Sequence, residues 1–198
     1  KGYFPGMATI QGMPVYFENR DGNMNVKTDQ AALLERCYKM LNDNGIEIDR
    51  SRMDAGSYSR EIVEVVEKYS DKFYIRANRC DFLTDALLEN TVEWTKEEIN
   101  HIEYEVCSIE YQPFKSQKTD NPKNYRLVVM RRKKKNSPQL DLFTKDNMEY
   151  RSILTDDWQS TEKEVIEDYN QRGTEEKAID IMNNDFGWSK MPFSFIMN

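Results

Sequence analysis

The sequence predicts an α/β fold, in which a mixed sheet with flanking helices is interrupted by a run of antiparallel strands. Three observations support this class. Apolar residues recur at helical spacing over residues 28–44 and 60–69. Extended runs rich in β-forming residues lie next to both helices, and several more follow between about residues 80 and 158. At 198 residues the chain is long enough to bury a core.

The N-terminal part predicts a β-hairpin followed by a helix. Two β-rich runs, residues 7–11 and 15–19, are joined by the short link Gly12-Met13-Pro14, which is typical of a hairpin. The amphipathic helix over 28–44 comes next, and Gly45 stands where a helix-ending glycine belongs.

A β-α-β unit is predicted after this helix. Residues 46–53 read as a strand, Ser57 or Ser59 can cap a helix over 60–69, and residues 73–79 read as the next strand. Asp54 therefore stands at the carboxyl end of a strand, where open α/β sheets keep their ligands. An ordinary Asp in a strand-to-helix turn is the alternative.

The region from 80 to 158 predicts an antiparallel β insertion between two parts of a core, residues 1–79 and 159–198. Its β-type runs include residues 104–111, 125–130 and 150–155. A basic turn within it could follow a phosphate backbone or could be a solvated hairpin tip. This turn comprises Arg131, Arg132, Lys133, Lys134 and Lys135.

The last predicted element is a long helix over 161–184, which opens with a capping box at Thr161 and Glu164. Its interior glycine, Gly173, is a weak point where a kink could occur. Four apolar residues can anchor the helix to a core: Val165, Ile166, Ile179 and Met182. Steps of three, four and seven place a polar stripe on one face: Tyr169, Arg172, Glu176 and Asn183. A surface helix with an ordinary Arg–Glu pair is the alternative.

Composition limits the chemistry. The formal charge is −7. The chain has one histidine and three cysteines, and the cysteines form no C-x-x-C pattern. This composition argues against zinc, Cys–His and Ser–His sites and against disulfides. Any metal site must therefore use oxygen ligands. No apolar run approaches the roughly 20 residues of a membrane span, so we expect a cytoplasmic protein without a membrane partner.

The predicted order of elements is that of a ribonuclease-H-like fold without its first strand. The sequence resembles DDE transposases of bacterial insertion sequences, in the branch with a β-rich insertion before the last catalytic residue. The motif Tyr-x2-Arg-x3-Glu-x6-Lys of that branch matches Tyr169, Arg172 and Glu176, whereas Asn183 replaces the Lys. Residues 54–59, 74–79 and 169–173 also resemble that family, and the similarity extends over nearly all of the chain, from Gly2 to Phe195.

The resemblance implies a two-metal phosphoryl transferase that uses Mg²⁺ or Mn²⁺. Asp54 and Glu176 would be the second and third of three catalytic, metal-binding carboxylates. Tyr169 and Arg172 would hold DNA phosphates, and Asn183 would offer a hydrogen bond without charge. By analogy with the family, Trp94 or Trp158 could stack on a displaced base; a buried tryptophan of the core is the alternative. The partner would be double-stranded DNA, at transposon ends and target, bound by a homodimer.

The first catalytic Asp of the family lies upstream of the segment that matches residues 2–6. We therefore expect a transposase fragment that lacks the N-terminal part, including the DNA-end-binding domain, and that performs no strand transfer by itself. Two alternatives stay open: a catalytically silent DNA-binding or assembly module derived from a transposase, and a related nuclease that hydrolyses DNA without joining it.

Overall fold

A computed structural model describes the fold, which is mixed α/β. The described residues are 6–18, 29–77, 92–115, 117, 122–134, 147–185 and 187. The chain divides into two compact units. The sheet unit comprises residues 48–169, and the hairpin unit comprises residues 1–47 and 170–198.

The hairpin unit contains the predicted β-hairpin. Strand β1 (Gly6–Ile10) pairs antiparallel with β2 (Met13–Glu18), which confirms the prediction. Gln11 and Gly12 connect the strands with φ of 52° and 81°. Two successive left-handed residues form the tight turn that matches the twist of paired strands.

Helix α1 (Gln30–Asp43) also lies where the apolar spacing predicts it. Gly45 has a φ of 74°, and its N–H donates to the carbonyl of Asn42 at 2.9 Å, so it ends the helix as predicted. Arg36 joins the helix to β2 because its guanidinium donates to both carboxylate oxygens of Glu18, at 2.7 and 3.1 Å. The buried residues of α1 are Leu33, Cys37, Tyr38 and Leu41.

The sheet unit is built on a six-stranded mixed sheet. Its strands are β3 (Ile48–Met53), β4 (Ser70–Arg76), β5 (Thr95–Ile99), β6 (Ile102–Tyr111), β7 (Tyr125–Lys133) and β8 (Met148–Thr155), in the spatial order β3-β4-β8-β7-β6-β5. Strands β3 and β4 are parallel and every other pair is antiparallel. The predicted β-α-β unit and antiparallel strands are thus present, and they share one sheet because β8 pairs with β4.

Helices cover both faces of this sheet. Helix α2 (Arg60–Tyr69) lies on the face of Phe73 and Tyr125, since the Tyr125 hydroxyl donates to Glu67 at 3.0 Å and the two rings are 5.7 Å apart. Helix α3 (Glu162–Asn170) packs on the opposite face. There its fully buried Val165 and Ile166 join a core cluster that includes Tyr74, Val128 and Ile153. Alternation along the strands supplies both faces with apolar residues.

The prediction of one helix over 161–184 is wrong. The chain forms α3 and then α4 (Gly173–Asn184), separated by a turn at Gln171 and Arg172. The predicted capping box is confirmed, because Thr161 N–H donates to Glu164 at 2.8 Å and Glu164 N–H donates back to the Thr161 hydroxyl at 3.3 Å. Within the described part of the chain, no helix has the length and apolar character needed to cross a membrane.

Candidate functional site

Asp54 follows β3 directly and begins a short 3-10 turn over Ala55–Ser57. Its backbone is extended and its side chain is exposed. One carboxylate oxygen accepts from Gly56 N–H at 2.9 Å and from the Ser57 hydroxyl at 3.5 Å. The structure thus places Asp54 at the carboxyl end of a parallel strand, as predicted, and gives it a capping role that a ligand-binding role would have to accommodate.

The basic stretch lies beyond the same edge of the sheet as Asp54. Met53 pairs with Ile75, Ile75 with Leu154, and Leu154 with Leu127. Asp54 is one residue past this row, and Arg131 is four residues past it on a strand that runs in the same direction. At about 3.3 Å per residue, Arg131 is therefore about 10 Å farther along the strand direction than Asp54.

The basic stretch is a strand end and not the turn that the sequence predicts. Arg131, Arg132 and Lys133 belong to β7, Lys134 follows it, and Lys135 lies outside the described residues. Pairing with β8 continues through Lys133 opposite Met148, so the hydrogen-bonded ladder keeps these residues extended. Lys133 is exposed to solvent.

Both arginines of this stretch already have carboxylate partners. Arg131 donates to Glu105 of β6 at 2.6 Å, and Arg132 pairs with Glu149 of β8 at 3.0 Å. Hydrogen bonds from Arg151 and Arg132 lower the pKa of Glu149, which keeps this carboxylate ionised at neutral pH. The positive charge of the two arginines is therefore partly neutralised within the sheet.

The two tryptophans considered for base stacking differ in exposure. Trp94 is half-buried; its ring lies 3.9 Å from the Arg131 guanidinium and 6.3 Å, edge to face, from the Tyr150 ring. Trp158 is 55% exposed. Cation–π and aromatic contacts thus occupy Trp94, whereas Trp158 presents a large apolar surface to solvent.

Trp158 is held out by a tightly bonded turn. The neighbouring Asp157 is 2% exposed. One of its carboxylate oxygens accepts from the Tyr74 hydroxyl at 2.9 Å and the Ser160 hydroxyl at 2.6 Å. The other accepts from the N–H groups of Gln159 and Ser160, at 3.0 and 3.2 Å, and pairs with Lys72 at 3.2 Å. These contacts fix the connection between β8 and α3.

The residues of the predicted polar stripe do not share one helix. Tyr169 is in the last turn of α3, half-buried and packed against the core cluster, whereas Arg172 is in the turn before α4. Glu176 and Asn183 belong to α4, and their side chains lie outside the described ones. The anchoring role predicted for Ile179 is wrong, since Ile179 is 39% exposed.

The two predicted metal ligands belong to different units. Asp54 is in the sheet unit and Glu176 is in the hairpin unit, so their pairing stays a prediction. Among the side chains that the structure describes, no three His, Cys, Asp or Glu residues are grouped to hold a metal ion. The exposed carboxylate of Asp54 nevertheless suits a hard cation such as Mg²⁺, which keeps several waters and takes few protein ligands.

Sequence reasoning missed a group of charged residues that joins β3 to α3. Arg50 and Arg52 of β3 both bind the carboxylate of Asp168, the residue before Tyr169. The only signal in the sequence is the alternation of two arginines along a predicted strand, and it does not identify their partner, which is more than 100 residues away.

A groove of about 400 Å³ opens between α2 and the segment after β6. It is lined by Arg60, Glu64 and Glu67 of α2 and by Phe114, Lys123 and Tyr125. Arg60 donates to the carbonyls of Phe114 and Gln117, at 3.3 and 2.9 Å. The groove is lined by side chains of both charges, so the lining does not indicate one class of ligand.

Neither the protein-family models nor the curated proteins compared with this sequence give a match. The predicted resemblance to DDE transposases therefore rests on the motif and the element order alone.

Proposed function

We propose that this chain is the catalytic part of a DDE transposase, which cuts and joins transposon DNA ends by metal-dependent phosphoryl transfer. The observation that carries the proposal is the position of Asp54, an exposed carboxylate at the carboxyl end of β3 in a parallel β-α-β unit. The motif formed by Tyr169, Arg172 and Glu176 supplies a further carboxylate and two side chains that can donate hydrogen bonds to phosphate oxygens.

Asp54 and Glu176 would hold Mg²⁺ or Mn²⁺ through their carboxylate oxygens. When bound, such ions activate the attacking oxygen and stabilise the leaving oxygen of the phosphoryl transfer. Tyr169 and Arg172 would bind DNA phosphates, to which a phenol and a forked guanidinium are suited. Two copies of the chain would engage double-stranded DNA in the active complex.

The charge at the sheet edge supports duplex DNA as the partner. The end of β7 extends beyond Asp54 along the strand direction, and it carries Arg131, Arg132 and the exposed Lys133. β7 is three strands away from β3, so these side chains lie about 14 Å to the side of Asp54 as well as about 10 Å farther along the strands. The resulting separation of about 17 Å corresponds to about five nucleotides along one DNA strand, so a phosphate backbone near Asp54 could reach them.

A second candidate is a catalytically silent DNA-binding or assembly module. The observation that favours it is the capping role of Asp54, whose carboxylate accepts from Gly56 N–H at 2.9 Å and so has a structural reason to be present. In this case the basic strand end would still bind DNA, but metal ions would not bind at Asp54.

Substitution by Asn separates the two candidates, because Asn caps helices about as well as Asp but lacks the charge. Asp54→Asn should leave the melting temperature unchanged and weaken Mn²⁺ binding at least tenfold, measured by calorimetry and by the electron paramagnetic resonance of the ion. Asp71→Asn, at an exposed position of β4, is the matched control and should bind Mn²⁺ like the wild type. Equal Mn²⁺ affinity of wild type and Asp54→Asn would refute the catalytic proposal in favour of the module.

A further inference from the structure

Asp168 is clamped by two arginines of one strand. Arg50 Nη1 donates to Asp168 Oδ2 at 2.6 Å, and Arg52 Nε donates to Oδ1 at 2.6 Å; Arg52 Nη2 also pairs with Oδ1. The Asp168 side chain is only 11% exposed. Two guanidiniums thus bind both oxygens of a carboxylate that is largely removed from water.

The position of Asp168 in its helix explains why it needs these partners. It lies in the last turn of α3, where the partial negative charge of the helix end disfavours a carboxylate. Arg52 Nε also donates to the backbone carbonyl of Asp168 at 2.8 Å. In a continuous helix that carbonyl would accept from residue 172, so Arg52 caps α3 near the point where the predicted long helix breaks.

The clamp lies between two residues of the proposed site, all within the sheet unit. Arg52 is two residues before Asp54, and Asp168 directly precedes Tyr169. Residues 50, 52 and 54 are alternate positions of one extended segment, so they fall on one face of the sheet. This is the face on which α3 packs.

We propose that Arg50, Arg52 and Asp168 form a positioning clamp that sets the place of Tyr169 relative to Asp54. In the proposed function, which supplies the identity of the ligands, the clamp would fix where the DNA phosphate bound by Tyr169 lies beside the metal ion at Asp54. The clamp residues touch neither ligand, and they act through the strand end and the helix end that they join.

A double-mutant cycle tests this positioning with a readout that stability alone does not change. Tyr169→Phe should weaken binding of a duplex oligonucleotide in Mn²⁺ about fivefold in the wild-type background. In Asp168→Asn the same substitution should weaken binding less than twofold, because the Tyr169 hydroxyl is misplaced there and contributes little to binding. Arg36→Gln is the matched control. It removes another Arg–carboxylate pair, which joins α1 to β2 within the hairpin unit, and should leave the fivefold effect of Tyr169→Phe intact.

Amide hydrogen exchange reads the clamp without any ligand, so its failure is distinguishable from failure of the proposed function. Asp168→Asn should accelerate exchange at least tenfold at Gly56 and Tyr169, and Arg36→Gln should not. If Asp168→Asn is unfolded, Arg52→Lys serves instead, since Lys keeps the charge but not the fork. Unchanged exchange at both amides in a folded variant, or an undiminished effect of Tyr169→Phe, would overturn the clamp. Absence of Mn²⁺ and DNA binding by the wild type would overturn the proposed function alone.

Discussion

Replacement of Asp157 by Asn is the most demanding test of the sheet unit, because this carboxylate is buried and fully engaged. One oxygen accepts from the backbone N–H groups of Gln159 and Ser160 and pairs with Lys72. The other accepts from the hydroxyls of Tyr74 and Ser160. The amide oxygen of Asn can keep the two backbone bonds, so the substitution tests the value of the charge.

We expect Asp157→Asn to lower the free energy of unfolding by about 3 kcal/mol. A hydrogen bond to a charged group contributes about 1 kcal/mol more than a neutral one, and four donors lose their charged acceptor, two hydroxyls and two backbone N–H groups. The lower cost of burying a neutral side chain offsets about half of this loss and leaves about 2 kcal/mol. Lys72 loses its partner as well; its side chain is 29% exposed, so this loss is limited to about 1 kcal/mol. The sum exceeds the effect of most single substitutions.

The pH dependence has a defined sign. Burial acts to raise the pKa of Asp157, but the hydrogen bonds from Ser160, Gln159 and Tyr74 outweigh it and leave the pKa lowered. The unfolded chain therefore takes up this proton first, so the stabilisation is present above the unfolded pKa of about 4 and is lost as pH falls below it. Burial raises the pKa of Asp156, so its contribution to the pH dependence of stability has the opposite sign. This contribution is present in both the wild type and Asp157→Asn and largely cancels in their difference.

Urea unfolding, followed by near-ultraviolet circular dichroism at pH 7 and at several values down to pH 3, measures both effects. The difference between wild type and Asp157→Asn should shrink as the pH falls below about 4. Asp71→Asn, at an exposed position of the same sheet, should unfold like the wild type at pH 7. A loss below 0.5 kcal/mol at pH 7 in Asp157→Asn, or a difference independent of pH, would show that the charge of Asp157 does not stabilise this fold.

Three further predictions follow from single contacts. Thr161→Ala removes the confirmed cap of α3 and should cost about 1 kcal/mol in urea unfolding; no loss would mean that the cap is replaced by water. Burial raises the pKa of Cys37 to about 11 and that of Cys107 to about 12. In a Cys80→Ser background, both thiols should therefore react with iodoacetamide at pH 8 at least a hundredfold more slowly in the native protein than in the unfolded protein. Equal rates would contradict their burial. Lys133→Gln should reduce the steepness of the plot of log affinity for duplex DNA against log salt by about 1, measured by fluorescence anisotropy. An unchanged slope would show that Lys133 does not contact a DNA phosphate.

Local signals in the sequence were sufficient for most elements. The hairpin, α1, β3, α2 and the capping box at Thr161 each depend on residues close in sequence, whose spacing and turn chemistry are readable without tertiary contacts. Asp54 could be placed for the same reason, since it follows a strand and precedes a helix. The exposed Arg76 at the end of β4 lies next to Asp54 because Met53 pairs with Ile75. This pairing could not be predicted from the sequence.

The break between α3 and α4 could not be predicted, because helical periodicity continues through Gln171 and only Gly173 indicates weakness. The group that caps α3 is Arg52, which comes from a strand 116 residues away. The partners of Arg131 and Arg132 were hidden for a related reason. Glu105 and Glu149 stand opposite them only in the observed register of β6, β7 and β8, and a shift by one residue would turn them to the other face.

These ion pairs change how the edge near Asp54 would bind DNA. A phosphate that approaches Arg131 or Arg132 must compete with Glu105 or Glu149 for the same guanidinium, so part of the electrostatic gain is spent in displacing a carboxylate. Lys133 has no such carboxylate partner among the described residues. A basic stretch that looks uniform in sequence is therefore unequal in the fold, and the exposed lysine after the two paired arginines is where phosphate contact would gain most.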